Sequence, residues 1–228
     1  MNIIFYPKKV TKYFAFTVIL LTLAQIGTLY FRYHLGYFNV LGFVPLFNVE
    51  DEGNMPTLYS SFALFFCSVL LFFISRSKKG IKRDYTYWAG LSIFFLFLAI
   101  DEGAQIHEKF QDPIRALIGK TSFYDFEWVI VYLFLVVGVI FFFLKFVLSL
   151  PKKTMLLFFV AGFLFLSGAL GVEAIGSFLF GVSGNEATYA IYVTIEEFLE
   201  MTGVVVFIYT LLDYMAGENI NLNLKFNL

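Results

Sequence analysis

Residues 189–214 read YAIYVTIEEFLEMTGVVVFIYTLLDY, an apolar segment interrupted by three closely spaced glutamates. Its apolar residues are continuous and do not alternate with polar ones at every second position, a pattern that indicates a helix and not a strand. A helix needs about 20 residues to cross the hydrocarbon core of a bilayer. The segment therefore predicts a membrane-spanning helix that carries acidic side chains within its length.

Five other runs are of similar length and apolar character. The composition agrees, because 60% of the 228 residues are hydrophobic and 14% are charged, whereas soluble domains carry about 25% charged residues. We therefore predict an all-α, polytopic integral membrane bundle that forms a single transmembrane domain over residues 1–228. The six predicted spans are 13–31, 56–75, 85–106, 128–150, 155–177 and 189–214.

The distribution of charge predicts the orientation. Lys and Arg collect before the first span, between the second and third, and between the fourth and fifth, which lie on one side of a six-span bundle. That side holds 12 basic and 3 acidic residues, whereas the other side holds 4 basic and 14 acidic residues. The positive-inside rule places the basic side, with the N-terminus and the C-terminus, in the cytoplasm. The frequent use of Phe, Ile, Asn and Lys is compatible with a bacterium, so the predicted location is the cell membrane as a multi-pass protein, specifically a bacterial inner membrane.

Several acids lie within the predicted spans. Glu200 is roughly 16 Å along a helix that begins at Tyr189, at about 1.5 Å per residue, and so lies near the centre of a hydrocarbon core about 30 Å thick. Asp101 comes late in the third span and Glu173 late in the fifth, and both of these spans run outward. The glutamates of the sixth span come early in a helix that runs inward. These directions bring all of the carboxylates to a similar depth in the outer half of the bundle.

A charge at the bilayer centre costs roughly 2.5–3.5 kcal/mol, so this acidic level needs neutralisation. The acids in or beside the outer half outnumber the basic residues on that side, which are Arg32, Lys109, Arg115 and Lys120. The remaining acids must be protonated, hydrated in a cavity or neutralised by bound cations. Because hard cations favour carboxylate oxygens, the sequence predicts a divalent metal site for Mn, Fe, Mg or Ca. The predicted ligands are Asp101, Glu102, Glu173, Glu196, Glu197 and Glu200, with Glu52, His107 and Glu108 as further candidates.

The candidates also have purely structural explanations. Glu52 could belong to a solvated loop, Glu108 to a hydrated helix end, and Glu173 to an interhelical hydrogen bond. Glu173 falls on the same helical stripe as Gly162 and Gly176. Because small residues let helices approach closely, we expect Glu173 to point into a helix–helix seam and not into lipid.

The orientation of His107 depends on the geometry of the third span. On an ideal helix Asp101, Gln105 and Glu108 share one face, and His107 points roughly 120° away from it at about 100° per residue. His107 faces the bundle only if the helix deforms after Gly103. The two alternatives are a metal ligand and an interfacial residue without a role in the site.

The arrangement resembles the carboxylate-bridged di-metal bundles, in which helices bring Glu and Glu-x-x-His elements to a buried centre. Glu197 and Glu200 have Glu-x-x-Glu spacing, and Glu102 is followed three residues later by Gln105. The Glu-x-x-His element is missing from the sequence. This difference argues against a ferritin-type di-iron centre and leaves an oxygen-rich metal site open.

Three functions follow from these features. The first is a membrane-embedded divalent metal site open to the outer face, which would serve a metal-dependent enzyme acting on a lipid-borne substrate if the protein is an enzyme. The second is a cation or proton-coupled transporter that uses the same carboxylates. The third is a scaffold subunit of a membrane complex. The predicted partners are the lipid bilayer and a lipid-borne or small ionic substrate, and not nucleic acid. The single Cys67 excludes an internal disulfide.

Overall fold

The computed structural model describes residues 2–3, 6–51, 53–80, 82–109, 111–118, 127–220 and 222–223. This part of the chain is all-α, as the sequence predicts, apart from one short antiparallel pairing. Asn2–Ile3 (β1) pairs with Leu222–Asn223 (β2), which the sequence patterns do not indicate. The pairing brings the N-terminal and C-terminal segments to the same end of the bundle.

Most of the described residues belong to long helices connected by short turns. Two π-helical segments with wider turns also occur, Tyr30–His34 directly after α1 and Ser167–Val172 between α8 and α9. The α-helices run in the order α1 Pro7–Leu29, α2 Phe43–Phe47, α3 Met55–Ser77, α4 Lys82–Ala104, α5 Ile106–Lys109, α6 Gln111–Ile118, α7 Glu127–Val147, α8 Lys152–Leu166, α9 Glu173–Ser183 and α10 Glu186–Gly217.

Within the described residues, four helical segments are long and apolar enough to cross a membrane, and they indicate a membrane protein. A shorter apolar helix covers Tyr132–Val147. The longest helix, α10, has 32 residues and contains the three glutamates of the sixth predicted span. The four segments are Pro7–His34, Met55–Ser77, Asp84–Ala104 and Lys152–Ser183.

Local sequence determines where the helices begin and end. Asn54 caps α3, because its Oδ1 accepts a hydrogen bond from the backbone N–H of Thr57 at 3.0 Å. Asn185 caps α10 through the backbone N–H of Thr188 in the same way. Such caps satisfy backbone donors that have no partner within the helix. Between α9 and α10, Gly184 adopts a left-handed conformation with φ of 63°, which glycine tolerates without steric strain. The chain therefore reverses direction within two residues.

Helix α10 is central to the packing. It contacts α1, α3, α8, α9 and the segment Ser167–Val172. One end of the bundle is tightly filled, with Trp88, Leu71, Ile208 and Leu211 all completely shielded from solvent. Helices α3 and α4 are joined by two reciprocal hydrogen bonds: the hydroxyl of Ser68 donates to the backbone oxygen of Ser92, and the hydroxyl of Ser92 donates to the backbone oxygen of Ser68. The cavity described below lies beyond this filled end.

Glycines allow α10 to pack closely against the α8–α9 segment. A Cβ on Gly168 would lie 2.7 Å from the carbonyl oxygen of Glu196, and one on Gly176 would lie 2.8 Å from Cβ of Tyr192. The predicted stripe is correct at Gly176 but wrong at Gly162, where an added Cβ would meet no atom of another helix within 4 Å. The error arises because the π-helical turns of Ser167–Val172 rotate the residues upstream of them relative to those downstream.

Ion pairs join the helix ends that lie on the same side as the paired chain ends. Lys78 after α3 bonds to Glu218 after α10 at 2.5 Å. Near the start of α8, Lys153 bonds to Asp213 of α10 at 2.6 Å. Burial lowers the pKa of Lys78, but its hydrogen bonds to Glu218 and Tyr214 outweigh that effect and leave the pKa above its usual value.

Candidate functional site

A cavity of about 1040 Å³ opens among α4, α7, α8, α9 and α10. Its walls are acidic at one end and apolar over the rest of their length. Among the described residues, Arg32 is the one lysine or arginine in the lining. The acids that line the cavity are Glu50, Asp51, Asp101, Glu102, Glu173, Glu186, Glu196, Glu197 and Glu200. The acidic end therefore carries a net negative charge if its carboxyl groups are ionised.

Glu173 lies in the seam between α9 and α10. Its exposed fraction is 7%, and the hydroxyl of Ser177, one turn later, donates a hydrogen bond to its Oε1 at 3.0 Å. The carboxyl group of Glu173 also forms a side-chain hydrogen bond with that of Glu196 on α10. Two carboxyl groups can share a hydrogen bond only when one of them carries a proton. This pair is therefore suited to binding either a proton or a cation.

Glu200 lies one turn of α10 beyond Glu196 and faces the same cavity. It interacts electrostatically with Glu197, Glu102, His107 and Glu173. Acidic groups from α4, α9 and α10 thus lie close enough to Glu200 to interact with its carboxyl group. Glu196, Glu197 and Glu200 are only partly shielded where they line the cavity, so their flexible side chains have room to reorient around a ligand.

The chain breaks its helical course at Gln105, three residues after Glu102. Helix α4 ends at Ala104, two residues before the end of the predicted span, and Gln105 adopts a positive φ of 56°. The shared face predicted for Asp101, Gln105 and Glu108 is therefore wrong, because no continuous helix joins these residues. The break turns His107 back into the cavity lining.

Hydrogen bonds to Asp101 stabilise the chain at this break. The exposed fraction of its side chain is 7%, and its Oδ1 accepts hydrogen bonds from the backbone N–H of His107 at 2.9 Å and from the hydroxyl of Tyr132 at 2.8 Å. The other oxygen, Oδ2, lies 3.6 Å from Nδ1 of His107. Asp101 thus connects α4, α5 and α7, and its position beside His107 is the arrangement in which a carboxylate orients an imidazole.

We expect the Asp101→Leu substitution to destabilise the protein by about 1–3 kcal/mol, because it leaves two partly buried donors without an acceptor. Asp101→Asn keeps an oxygen at this position and serves as the matched control, with little expected loss. Thermal unfolding in detergent measures the difference. If the two substitutions were equally harmful, the negative charge of Asp101 would matter more than its hydrogen bonds.

A second polar group lies beside the cavity where α1 ends. Nη1 of Arg32 donates to Oδ1 of Asn48 at 2.8 Å and to Oε1 of Glu50 at 2.7 Å. Burial raises the pKa of the Glu50 carboxyl group, while the neighbouring Arg32 acts in the opposite direction. Gln25, which is 1% exposed, joins this loop to α10 by accepting from the N–H of Val49 and donating to a threonine hydroxyl.

Most of the predicted site residues surround this one cavity. Glu52 lies outside the described residues, as does the side chain of Glu108, whose backbone belongs to α5. In the described part of the chain, no three His, Cys, Asp or Glu side chains are placed so that they could hold a metal ion directly. The predicted ligands that line the cavity are Asp101, Glu102, His107, Glu173, Glu196, Glu197 and Glu200.

The sequence analysis missed the part played by Tyr132 and Glu50. Tyr132 is a single tyrosine within an otherwise apolar run, and its only signal is a depth that matches Asp101. Glu50 belongs to an acidic loop that is easily interpreted as solvated. Neither residue belongs to a pattern that identifies its partner.

The fold and the cavity together define a class: a helical bundle with apolar helices of membrane-spanning length around an acid-lined cavity. Residues 13–215 match the model of a family described as a domain of unknown function, DUF8692. Because the match covers most of the chain, the protein belongs to this family. No curated protein and no solved structure matches the chain.

Proposed function

We propose that the protein is a six-span membrane protein whose cavity is open to the outer face and binds a divalent cation, which it presents to a lipid-borne substrate. The observation that carries the proposal is the convergence of carboxylates from α4, α9 and α10 on one cavity. A bound cation would neutralise these groups, and it could polarise a substrate or activate water.

Six spans agree with the arrangement of the chain ends. The β1–β2 pairing keeps both ends on one side, which requires an even number of crossings. Helix α10 is long enough to cross, since its 32 residues extend roughly 48 Å at about 1.5 Å per residue. The apolar α7 completes the six. The ends lie on the side of the lysine-rich connections, which the positive-inside rule makes cytoplasmic.

A metal site requires these carboxylates to move closer together than they stand. Glutamate side chains have several rotatable bonds, and the cavity gives them space on one side. Glu196, Glu197 and Glu200 lie on α10, Glu173 on α9, and Glu102 with His107 at the α4–α5 break. Three helical elements would thus contribute to the coordination of one ion. Oxygen-rich coordination with one imidazole suits Mn or Fe, and oxygens alone suit Mg or Ca.

The filled end of the bundle favours a binding or catalytic site over a permeation path. Trp88, Ile208 and Leu211 are fully buried there, and Trp88 packs edge-on against Phe146 and at a tilt against Tyr214. A cation that entered from the acidic end would meet apolar side chains on its way toward the cytoplasmic side.

Metal analysis tests the proposal. We expect the protein, purified without chelator or reconstituted with Mn²⁺, to hold stoichiometric metal by mass spectrometry. Glu197→Gln and Glu200→Gln should each lower the metal content at least tenfold, because each removes a charged oxygen ligand. Glu218→Gln is the matched control, since it makes the same change on the chain end after α10 and breaks only the ion pair with Lys78.

Two results would contradict the proposal. The wild-type protein could fail to bind Mn²⁺, Fe²⁺, Mg²⁺ or Ca²⁺ after reconstitution. Alternatively, Glu218→Gln could lose metal as strongly as the cavity variants, in which case the loss would reflect general damage to the protein. Equal thermal stability of the three variants establishes that the comparison concerns binding.

The hydrogen-bonded pair of Glu173 and Glu196 favours a proton-coupled transporter as the second candidate. A transporter needs the cavity to open toward the other side as well, through separation of the filled end. Flux into liposomes distinguishes the two functions. Transport that requires Glu200 would favour the transporter, whereas metal binding without flux would favour the first function.

A further inference from the structure

The cavity extends far beyond its acidic end. On α7 its lining continues from Tyr132, which is bonded to Asp101, to Val147 near the opposite end of the helix. These two positions are roughly 22 Å apart at about 1.5 Å per residue. One leaflet of the hydrocarbon core is about 15 Å thick, half of the full 30 Å. The apolar part is thus long enough for one lipid tail.

The walls of this part are almost wholly apolar. Leu91 and Phe95 of α4, Val139 of α7, and Val204 and Phe207 of α10 line it. A volume of about 1040 Å³ is at the upper end of the roughly 300–1,000 Å³ typical of small-molecule pockets. The dimensions suit a single tail together with its head group.

The apolar part opens sideways between α7 and α8. Ile140 and Leu144 on α7 line the cavity and remain 47% and 38% exposed. On the facing side Phe159 and Phe163 of α8 also line it and are 45% and 73% exposed. Side chains that belong both to the lining and to the apolar outer surface mark an opening toward the lipid. A tail can therefore enter laterally without its head crossing the membrane.

The charge of the lining determines which head group fits. The described lining contains nine acidic residues and one arginine, Arg32, which is already bonded to Glu50. An anionic head would be repelled at the acidic end, whereas a cationic head would be attracted. We propose that the cavity binds a single-tailed lipid with an amine head, its tail between α7 and α8 and its ammonium group among Glu173, Glu196 and Glu200. This inference goes beyond the proposed function, because it names a second ligand of the same cavity, one that occupies the carboxylates when no metal is bound.

A matched pair of probes tests the inference. Hexadecylamine and hexadecanol have the same tail and differ in the charge of the head group. Native mass spectrometry of the purified protein in EDTA should show at least tenfold tighter binding of the amine. Glu200→Gln should reduce that preference, because it removes a charge beside the ammonium group.

Two tryptophan substitutions on α7 locate the tail. Ile140→Trp fills the apolar part and should abolish amine binding, whereas Phe141→Trp is the control, because Phe141 lies on the lipid-facing surface with an exposed fraction of 85%. Leu144→Trp replaces Ile140→Trp if the latter does not fold. Equal binding of amine and alcohol would overturn the inference. Amine binding that persists in the folded cavity variant, Ile140→Trp or Leu144→Trp, would also overturn it.

The outcomes for the metal and for the amine are separable. Metal binding without amine binding would refute the inference and leave the proposed function standing. Amine binding in a protein that takes up no metal would refute the metal site and support the inference. Adding Mn²⁺ to the amine complex should displace the amine, since both cations use the same carboxylates.

Discussion

Replacing Gly203 by alanine is expected to lower the melting temperature of the protein by several degrees, although alanine is the better helix former. A Cβ at this position of α10 would lie 2.8 Å from the backbone N of Phe165 and 2.9 Å from the carbonyl oxygen of Ala161. Backbone atoms cannot rotate away as a side chain can, so α8 and α10 must separate. Overpacking of this kind typically costs about 1–3 kcal/mol, and each kcal/mol corresponds to about 2–4 °C for a chain of this size.

The matched control is Gly162→Ala on α8. No atom lies within 4 Å of the added Cβ, so the substitution should leave stability unchanged or raise it by up to about 1 kcal/mol through helix propensity. Thermal unfolding of both variants in the same detergent measures the difference. Similar melting temperatures would mean that α8 and α10 do not approach as closely as described.

The Glu196→Gln substitution is expected to stabilise the cation-free protein while it weakens cation binding. In the cation-free protein the adjacent carboxyl groups of Glu173 and Glu196 either repel each other or must hold a proton at neutral pH, and both alternatives cost free energy. The glutamine amide can donate to Glu173, so the substitution keeps the contact and removes the need for a shared proton. A protein that carries a destabilised binding site commonly becomes more stable when the site is removed.

The measurement is thermal unfolding in EDTA and again in saturating Mn²⁺. Wild-type protein should gain stability with Mn²⁺, because a ligand that binds only the folded state stabilises it, and Glu196→Gln should not. Glu218→Gln is the control, since Glu218 follows the end of the same helix and its loss removes only the exposed ion pair with Lys78, worth about 0–1 kcal/mol. A Glu196→Gln protein that is less stable than wild type in EDTA would refute this expectation.

The helical class and the convergence of the acids on one region of the bundle could be predicted because they depend on one-dimensional patterns. Continuous apolar runs indicate helices, and alternating span directions bring Glu173 and Glu200 to one level. The short connection around Gly184 likewise predicts that α9 and α10 are neighbours, as they are. These conclusions require no knowledge of how the side chains pack.

The local geometry of the site could not be predicted, because it depends on departures from ideal helices. The positive φ of Gln105 redirects His107, and a non-glycine residue in that conformation has no clear signal in the sequence. The hydrogen bond between Tyr132 and Asp101 joins residues on different helices, and neither residue specifies the other. A regular rotation of 100° per residue is accurate only until the first such departure.

The π-helical segment Ser167–Val172 has a consequence for how this site can change over time. A π-helical turn holds more residues than an α-helical turn, so it is equivalent to a small insertion absorbed within the helix. Upstream of it, Ala161 and Phe165 face Gly203; downstream, Glu173 faces the cavity. The insertion divides one continuous rod into two independently oriented parts. Deletion of one residue there would change the direction in which Glu173 points and leave the contact of Ala161 with α10 in place. The cavity and the packing of α8 against α10 can therefore change independently during evolution.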